Sequence, residues 1–228
     1  MTSYKASSSR DEAVRNSAWA AELSPDEIER ARKGISERQF GRGAYICHRG
    51  DRLDYWTGVA EGLVKISTIS QSGKAMTFAG IGAGGWFGEG SVLKDEPRQY
   101  DLVALRDTRL ILLNRATFFW LYENSTAFNR FLVRQLNERM GQFIATIEHD
   151  RILDAKARVA RNLSWLFNPV LYPDTGSRIE ITQEELALLA GVSRAVVNRS
   201  LAELEDEKLI RTEHGRISVL NLAALKTY

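Results

Sequence analysis

The chain has 228 residues, of which 44% are hydrophobic, so it holds one or two domains and wholesale disorder is excluded. The 31 basic and 29 acidic residues leave a formal charge of only +2, so bulk charge does not announce nucleic acid. The single cysteine, Cys47, excludes an intrachain disulfide framework, a cysteine-held zinc site and an iron–sulfur cluster. No stretch approaches the ~20 apolar residues of a membrane span, and residues 1–10 lack the apolar centre of a secretory signal. A cytoplasmic chain with no membrane association is expected.

Residues 1–20 read as a flexible polar lead-in. Ser24-Pro25-Asp26-Glu27 reads as a helix start, with a serine cap, proline at the first helical position and acids in the first turn. From Ile35 to Leu113, short β-rich runs are cut by glycines: 45–46, 54–59, 62–67, 75–78, 100–104 and 109–113. That pattern predicts a small antiparallel barrel or jelly roll. Inside it lies the glycine-rich stretch 82–98. Its backbone can approach a ligand closely and its N–H groups can form an anion nest. Arg98 can fork onto a phosphate or carboxylate and Glu89 can accept from hydroxyls; alternatively the two pair with each other as a structural bridge.

Residues 125–150 read as one long helix, with Phe128, Leu132, Leu136, Met140, Phe143 and Ile147 at three- and four-residue spacing. So narrow and long a stripe predicts a coiled-coil partner, with Leu132, Leu136, Met140, Phe143 and Ile147 at a dimer interface. The alternative is a helix lying on its own barrel. Residues 151–153 read as a hinge, Asp154 as the cap of a helix through Val159, Leu163 and Leu166, and Asn168–Ser177 as a loop.

The most informative segment is 182–201. Thr182 and Glu185 fit a capping box, and Leu186, Leu189 and Ala190 give that helix an apolar face. Gly191 ends the helix in a sharp turn and Ser193 can cap the next. Val196, Val197, Leu201 and Leu204 form the inner face of this second helix, while Arg194, Ala195, Asn198 and Arg199 lie on the other side. This is the pattern of a helix-turn-helix, whose second helix lies in the major groove. Residues 209–219 read as two short strands about a turn at His214-Gly215, the wing of a winged helix, with Arg178–Ile181 as a further strand. Residues 151–228 carry 11 basic and 10 acidic side chains, so DNA affinity must come from placement. Arg194, Arg199, Arg211 and Arg216 are expected on one side, with the acidic run Glu203–Glu207 turned away.

The chain from about residue 20 onward resembles the catabolite-activator/fumarate-nitrate-reductase (Crp/Fnr) family of bacterial transcription regulators. The resemblance rests on ordered landmarks: Gly43-Ala-Tyr-Ile46, Gly50-Asp51, Gly62-Leu-Val-Lys65, Phe87-Gly88-Glu89 and Pro97-Arg98, then the long helix and the winged helix-turn-helix. It implies an α+β fold divided into a flexible N-terminus (1–20), a β-roll or jelly-roll effector-sensing domain (21–123), a dimerisation helix (124–150) and a winged helix-turn-helix DNA-binding domain (151–228). It implies a cytoplasmic homodimer that is no enzyme, binds an inverted repeat in double-stranded DNA and has RNA polymerase as a partner.

By the same resemblance the effector is cyclic AMP or another cyclic nucleotide. Glu89 would meet the ribose hydroxyl, Arg98 the cyclic phosphate, and Gly88 and nearby amides would complete the cradle. Gln99 stands where cyclic-AMP binders usually have serine or threonine. The stretch Gln142-Phe143-Ile144 replaces their hydroxyl residues, leaving Phe143 as an apolar wall for a purine. Arg194 and Arg199 would face guanines, each gripping O6 and N7. Ala195 stands where many members carry glutamate, which implies a different half-site, and Asn198 can bond an adenine edge. Thr182, Gln183 and Ser193 would hold phosphates. His48, His149 and Cys47 read as ordinary polar or packed residues rather than haem ligands, and no metal is expected. The competing readings are a nucleotide-binding module acting on protein partners and a regulator that needs no effector. A jelly-roll oxygenase would need several inward ligands, and only His48 among the three histidines lies in the barrel.

Overall fold

The computed structural model describes residues 14, 15, 17–69, 75–152, 154–213 and 215–228, side chains at 75 and 149–152 excepted. Most of the N-terminal lead-in, Leu153 of the expected hinge, the His149 side chain and His214 of the expected turn lie outside the described residues. Helix α1 (Pro25–Gly34) starts on the capping box Ser24/Glu27. Eight strands follow: β1 (Ile35–Phe40), β2 (Tyr45–Cys47), β3 (Tyr55–Glu61), β4 (Leu63–Ile69), β5 (Ala75–Gly82), β6 (Trp86–Phe87), β7 (Asp101–Ala104) and β8 (Thr108–Asn114). They form two four-stranded antiparallel sheets, ordered β1-β8-β3-β6 and β2-β7-β4-β5. The jelly-roll expectation holds. Strand β1 and helix α3 (Arg115–Asn124) were not legible in the periodicity, and part of the glycine-rich stretch folds as helix α2 (Glu89–Lys94) rather than a turn.

The inner faces of the two sheets close on Val59, Val64, Ile81, Phe87, Leu102 and Leu110. A second core, of aromatic rings, sits where α3 and the long helix α4 (Thr126–Ile152) meet the β1-β8-β3-β6 sheet. Trp56 lies 4.3 Å from Trp86 at a tilt of 37°, and Trp19 and Phe128 meet Trp56 in tilted and edge-on contacts. Such pairs add roughly 0.5–1.5 kcal/mol each beyond area burial. They anchor the start of α4 on the roll.

Beyond the long helix, Asp154 caps α5 (Ala155–Trp165) by accepting from Ala157 N–H. The loop 168–177 leads to β9 (Arg178–Glu180), α6 (Gln183–Ala190), α7 (Arg194–Asp206), β10 (Ile210–Glu213), β11 (Arg216–Val219) and α8 (Leu222–Thr227). Strands β10, β11 and β9 make one antiparallel sheet behind the two helices, which is the winged-helix plan. Its core holds Leu163, Leu186, Val197, Leu201, Leu204 and Ile210, with Leu63 and Leu105 of the β-roll contributing to the same cluster. The C-terminal winged unit is therefore docked on the roll. Arg106 clamps Glu185 with two hydrogen bonds of 2.9 and 2.6 Å, and Arg42 reaches Glu184 at 3.0 Å.

Candidate nucleic-acid interface and effector cavity

The turn between α6 and α7 is built by local chemistry. Thr182 Oγ1 accepts from Glu185 N–H, and the Glu185 carboxylate accepts from Thr182 N–H. Gly191 ends α6 at φ +63°, a left-handed conformation that glycine adopts without Cβ strain. Ser193 Oγ accepts from Val196 N–H to start α7. Both capping hydroxyls keep their own proton for a further acceptor. Val197, Ser200, Leu201 and Leu204 are buried, while Val196 is only half-buried. The opposite face leaves Arg194, Ala195, Asn198 and Arg199 exposed on one ridge. Gln183 Nε2 donates to Asn198 Oδ1 at 3.3 Å and ties α6 to that ridge.

Charge placement follows the expectation in part. Arg194 and Arg199 stand exposed on the ridge, while Arg211 lies within the electrostatic reach of Glu205. Arg216, expected beside them, instead pairs with Glu180 at 2.6 Å, because β9 runs against β11 and sets the two side chains together. The acidic run is occupied elsewhere. Lys156 bridges Glu203 and Glu207, and Glu205 accepts from the Thr212 N–H and hydroxyl. These bonds hold the Glu205 and Glu207 carboxyls below the usual carboxylate range.

In the roll, a cavity of about 250 Å³ lies between the 87–100 segment and the long helix. Gly88, Glu89 and Gln99 form its wall from the roll; Leu136, Arg139 and Phe143 form it from α4. Glu89 is 6% exposed, and its Oε2 is buried without a hydrogen-bond partner. A buried carboxylate oxygen left unpaired costs free energy until a donor arrives. Gln99 lines the cavity but turns its amide N–H to the carbonyl of Pro97 at 3.2 Å. Tyr100 also lines it, and burial pushes its phenol up.

The structure departs from expectation at Arg98. It is 1% exposed and does not reach the cavity wall. Its guanidinium donates to Tyr55 O at 3.1 Å and Tyr100 Oη at 3.4 Å, while Nε has no partner. Nor does it form an ion pair with Glu89 among the described residues, so the structural-bridge alternative is not realised. It lies directly behind Gly88, whose φ of +93° and missing Cβ leave the space that the guanidinium fills. Two glycines of the same stretch serve packing instead of a ligand: Gly84 and Gly85 admit Asp174 and Tyr172 from the 168–177 loop.

The cavity also contains residues that the sequence reading missed. Arg139 is 7% exposed and donates to Trp86 O, Gln142 Oε1 and Tyr172 Oη. Gln135, Arg139 and Gln142 fall on one face of α4 and are buried there, but so many other polar residues share that helix that nothing local singled these three out. Leu132 is also corrected. It is 3% exposed and packs in the protomer's own aromatic core, because α4 is anchored there by Phe128 and Phe131. The exposed apolar row is Val133, Leu136, Met140, Phe143 and Ile147, with Ile144 beside it. Its spacing of three and four is that of a heptad seam. His48 is exposed and stacks on Tyr45, and burial pushes the Cys47 thiol up to about 11.

Two family models match the chain: the cyclic nucleotide-binding domain over residues 37–125 and the Crp-like helix-turn-helix domain over 157–228. The cyclic AMP receptor protein of Thermus thermophilus is 30% identical over 204 residues, covering 90% of this chain and 93% of that one. The cAMP-activated global transcriptional regulator of Haemophilus influenzae is 27% identical, covering 77% of this chain and 79% of its own. The crystal structure of the Thermus thermophilus catabolite activator protein superposes with a TM-score of 0.51 at 29% identity, covering 91% and 96% of the two chains. An effector-binding type of β-roll, a long helix and a winged helix-turn-helix thus occur together in one order, and the chain belongs to the Crp/Fnr family of DNA-binding transcription regulators.

Proposed function

We propose that the chain acts as a homodimer, sequence-specific for an inverted repeat, whose cavity holds a cyclic mononucleotide such as cyclic AMP. The observation that carries this reading is the unpaired Glu89 oxygen at a cavity shared by the roll and the seam-bearing helix. At about 250 Å³ the cavity lies just under the ~300 Å³ at which ligand pockets usually start, so it has room for one nucleotide at most. Glu89 accepts from the ribose hydroxyls, Gly88 and its neighbours cradle the phosphate, Gln99 rims it, and Phe143 faces the base. Arg98 holds the phosphate only after its guanidinium turns from Tyr55 past Gly88. The ligand supplies the link between roll and helix; the protein supplies the change of hinge geometry.

On the DNA, Arg194 and Arg199 read guanines, Asn198 an adenine edge and Ala195 a thymine methyl, with Thr182, Gln183 and Ser193 on phosphates. The heptad row through Leu136, Met140, Phe143 and Ile147 pairs the two protomers. We divide the chain accordingly into a lead-in (1–20), a sensing unit (21–123), a pairing helix (124–150) and a DNA-reading unit (151–228). RNA polymerase is the further partner and the cytoplasm the setting; no helix among the described residues is long and apolar enough to cross a membrane.

A second reading, a regulator that needs no effector, is supported by Arg98 itself, since Tyr55 and Tyr100 already hold its guanidinium. Calorimetry with cyclic AMP and cyclic GMP separates the two. Saturable heat that Arg98→Ala abolishes supports the nucleotide reading. Heat that persists in Arg98→Ala removes the arginine from the cradle, and no heat from either nucleotide favours the second reading.

A further inference from the structure

We infer that Gly80 is the point at which the cavity holds the DNA-reading unit, through a directed hydrogen-bond chain from Arg139 to Tyr172 to the Gly80 carbonyl. Two contacts from the DNA-reading half of the chain converge on this one buried residue of β5. Tyr172, 2% exposed, donates its phenol proton to Gly80 O at 2.6 Å. Leu189 of α6 lies flat on Gly80, where an added Cβ would come within 2.8 and 2.9 Å of its two terminal methyls. The loop that carries Tyr172 is stiff. Asn168 Oδ1 accepts from Val170 and Leu171 N–H, and Asn168 Nδ2 donates to Glu138 of the long helix at 2.8 Å. A displacement at Tyr172 is therefore carried into the domain rather than absorbed.

The other end of the chain is in the cavity. Arg139 lines it and donates Nη1–H to Tyr172 Oη at 3.3 Å, so the phenol accepts from Arg139 while it donates to Gly80. Bonds in series polarise one another, so the arginine strengthens the phenol as a donor. An anionic group in the cavity competes for the same guanidinium, and a charge-assisted bond to an anion is stronger than one to a neutral phenol. Occupancy of the cavity then weakens docking at Gly80, and docking weakens occupancy by the same factor. This goes beyond the cyclic-nucleotide reading: it holds for any anionic occupant and is testable with none.

The test is hydrogen–deuterium exchange of the ligand-free, full-length protein. Tyr172→Phe keeps the ring and removes one hydroxyl; roughly fivefold faster exchange is expected across Gln183–Ala190. Gly80→Val, whose Cβ would press on the Leu189 methyls, should speed the same amides. Arg139→Met should reproduce part of the effect, and the double variant Arg139→Met/Tyr172→Phe should exchange no faster there than Tyr172→Phe alone. The inference is overturned if Gln183–Ala190 keeps its protection in Tyr172→Phe or in Gly80→Val, or if the Arg139 and Tyr172 effects add in full.

Discussion

On the proposed docking, Ala195 shows how one small side chain sets what a surface can read. It stands exposed on α7 between Arg194 and Asn198, with no hydrogen-bonding group to offer a base edge. A glutamate there would accept from cytosine N4, a contact worth ~1–3 kcal/mol of discrimination. On the proposed docking, Ala195→Glu shifts preference at one symmetric base pair, measured by selection from randomised duplexes; an unchanged consensus would remove Ala195 from the reading ridge. Arg98 teaches the converse. Its residue type and its place after Pro97 suggest an anion ligand, yet the side chain lies inward, held by Tyr55 and Tyr100. Residue type and neighbours were legible, whereas the inward rotamer depends on a partner 43 residues away, the Tyr55 carbonyl.

The long helix is an element with two faces of opposite use. Gln135, Arg139 and Gln142 are buried against the protomer, while Val133, Leu136, Met140, Phe143 and Ile147 are exposed. An exposed apolar row at heptad spacing is a liability unless a partner covers it. Met140→Glu with Ile147→Glu places like charges on both sides of that seam and is expected to give monomers in sedimentation equilibrium; a dimer that survives both would move the interface elsewhere. Periodicity alone put Leu132 in the row in place of Val133, because both fit a helical spacing and only the anchoring of Phe128 fixes the helix's rotation.

The joint between α7 and the wing has a pH signature. Thr212 holds the Glu205 carboxyl below its ordinary value, so this bond adds stability above the ordinary carboxylate range and loses it as pH falls through that range to the lowered one. The stability gap between wild type and Glu205→Gln should therefore narrow as pH falls through the ordinary carboxylate range and below it. Denaturant titrations across that range check it, and a constant gap would show that Glu205 carries no linkage.

Docking decides how the parts act together. Arg106 of the roll grips Glu185, which is 5% exposed and caps the first helix of the DNA-reading turn. Arg106→Ala leaves that carboxylate with only its capping N–H, and is expected to lower stability by about 1–3 kcal/mol. Calorimetry should then resolve two unfolding steps where one is expected for the parent; a single unshifted transition would mean the clamp is dispensable. The order of parts, the caps at Ser24, Asp154, Thr182 and Ser193, and the turn at Gly191 are legible in the chain because each rests on residues within a few positions of one another. The inward Arg98, the Arg139–Tyr172–Gly80 chain, the pairing of Arg216 with Glu180 and the face of the long helix left bare are not, because each joins residues far apart in the chain. Local geometry is written in neighbouring residues, while the sharing of buried donors, acceptors and apolar faces among distant elements is settled only when the whole chain packs.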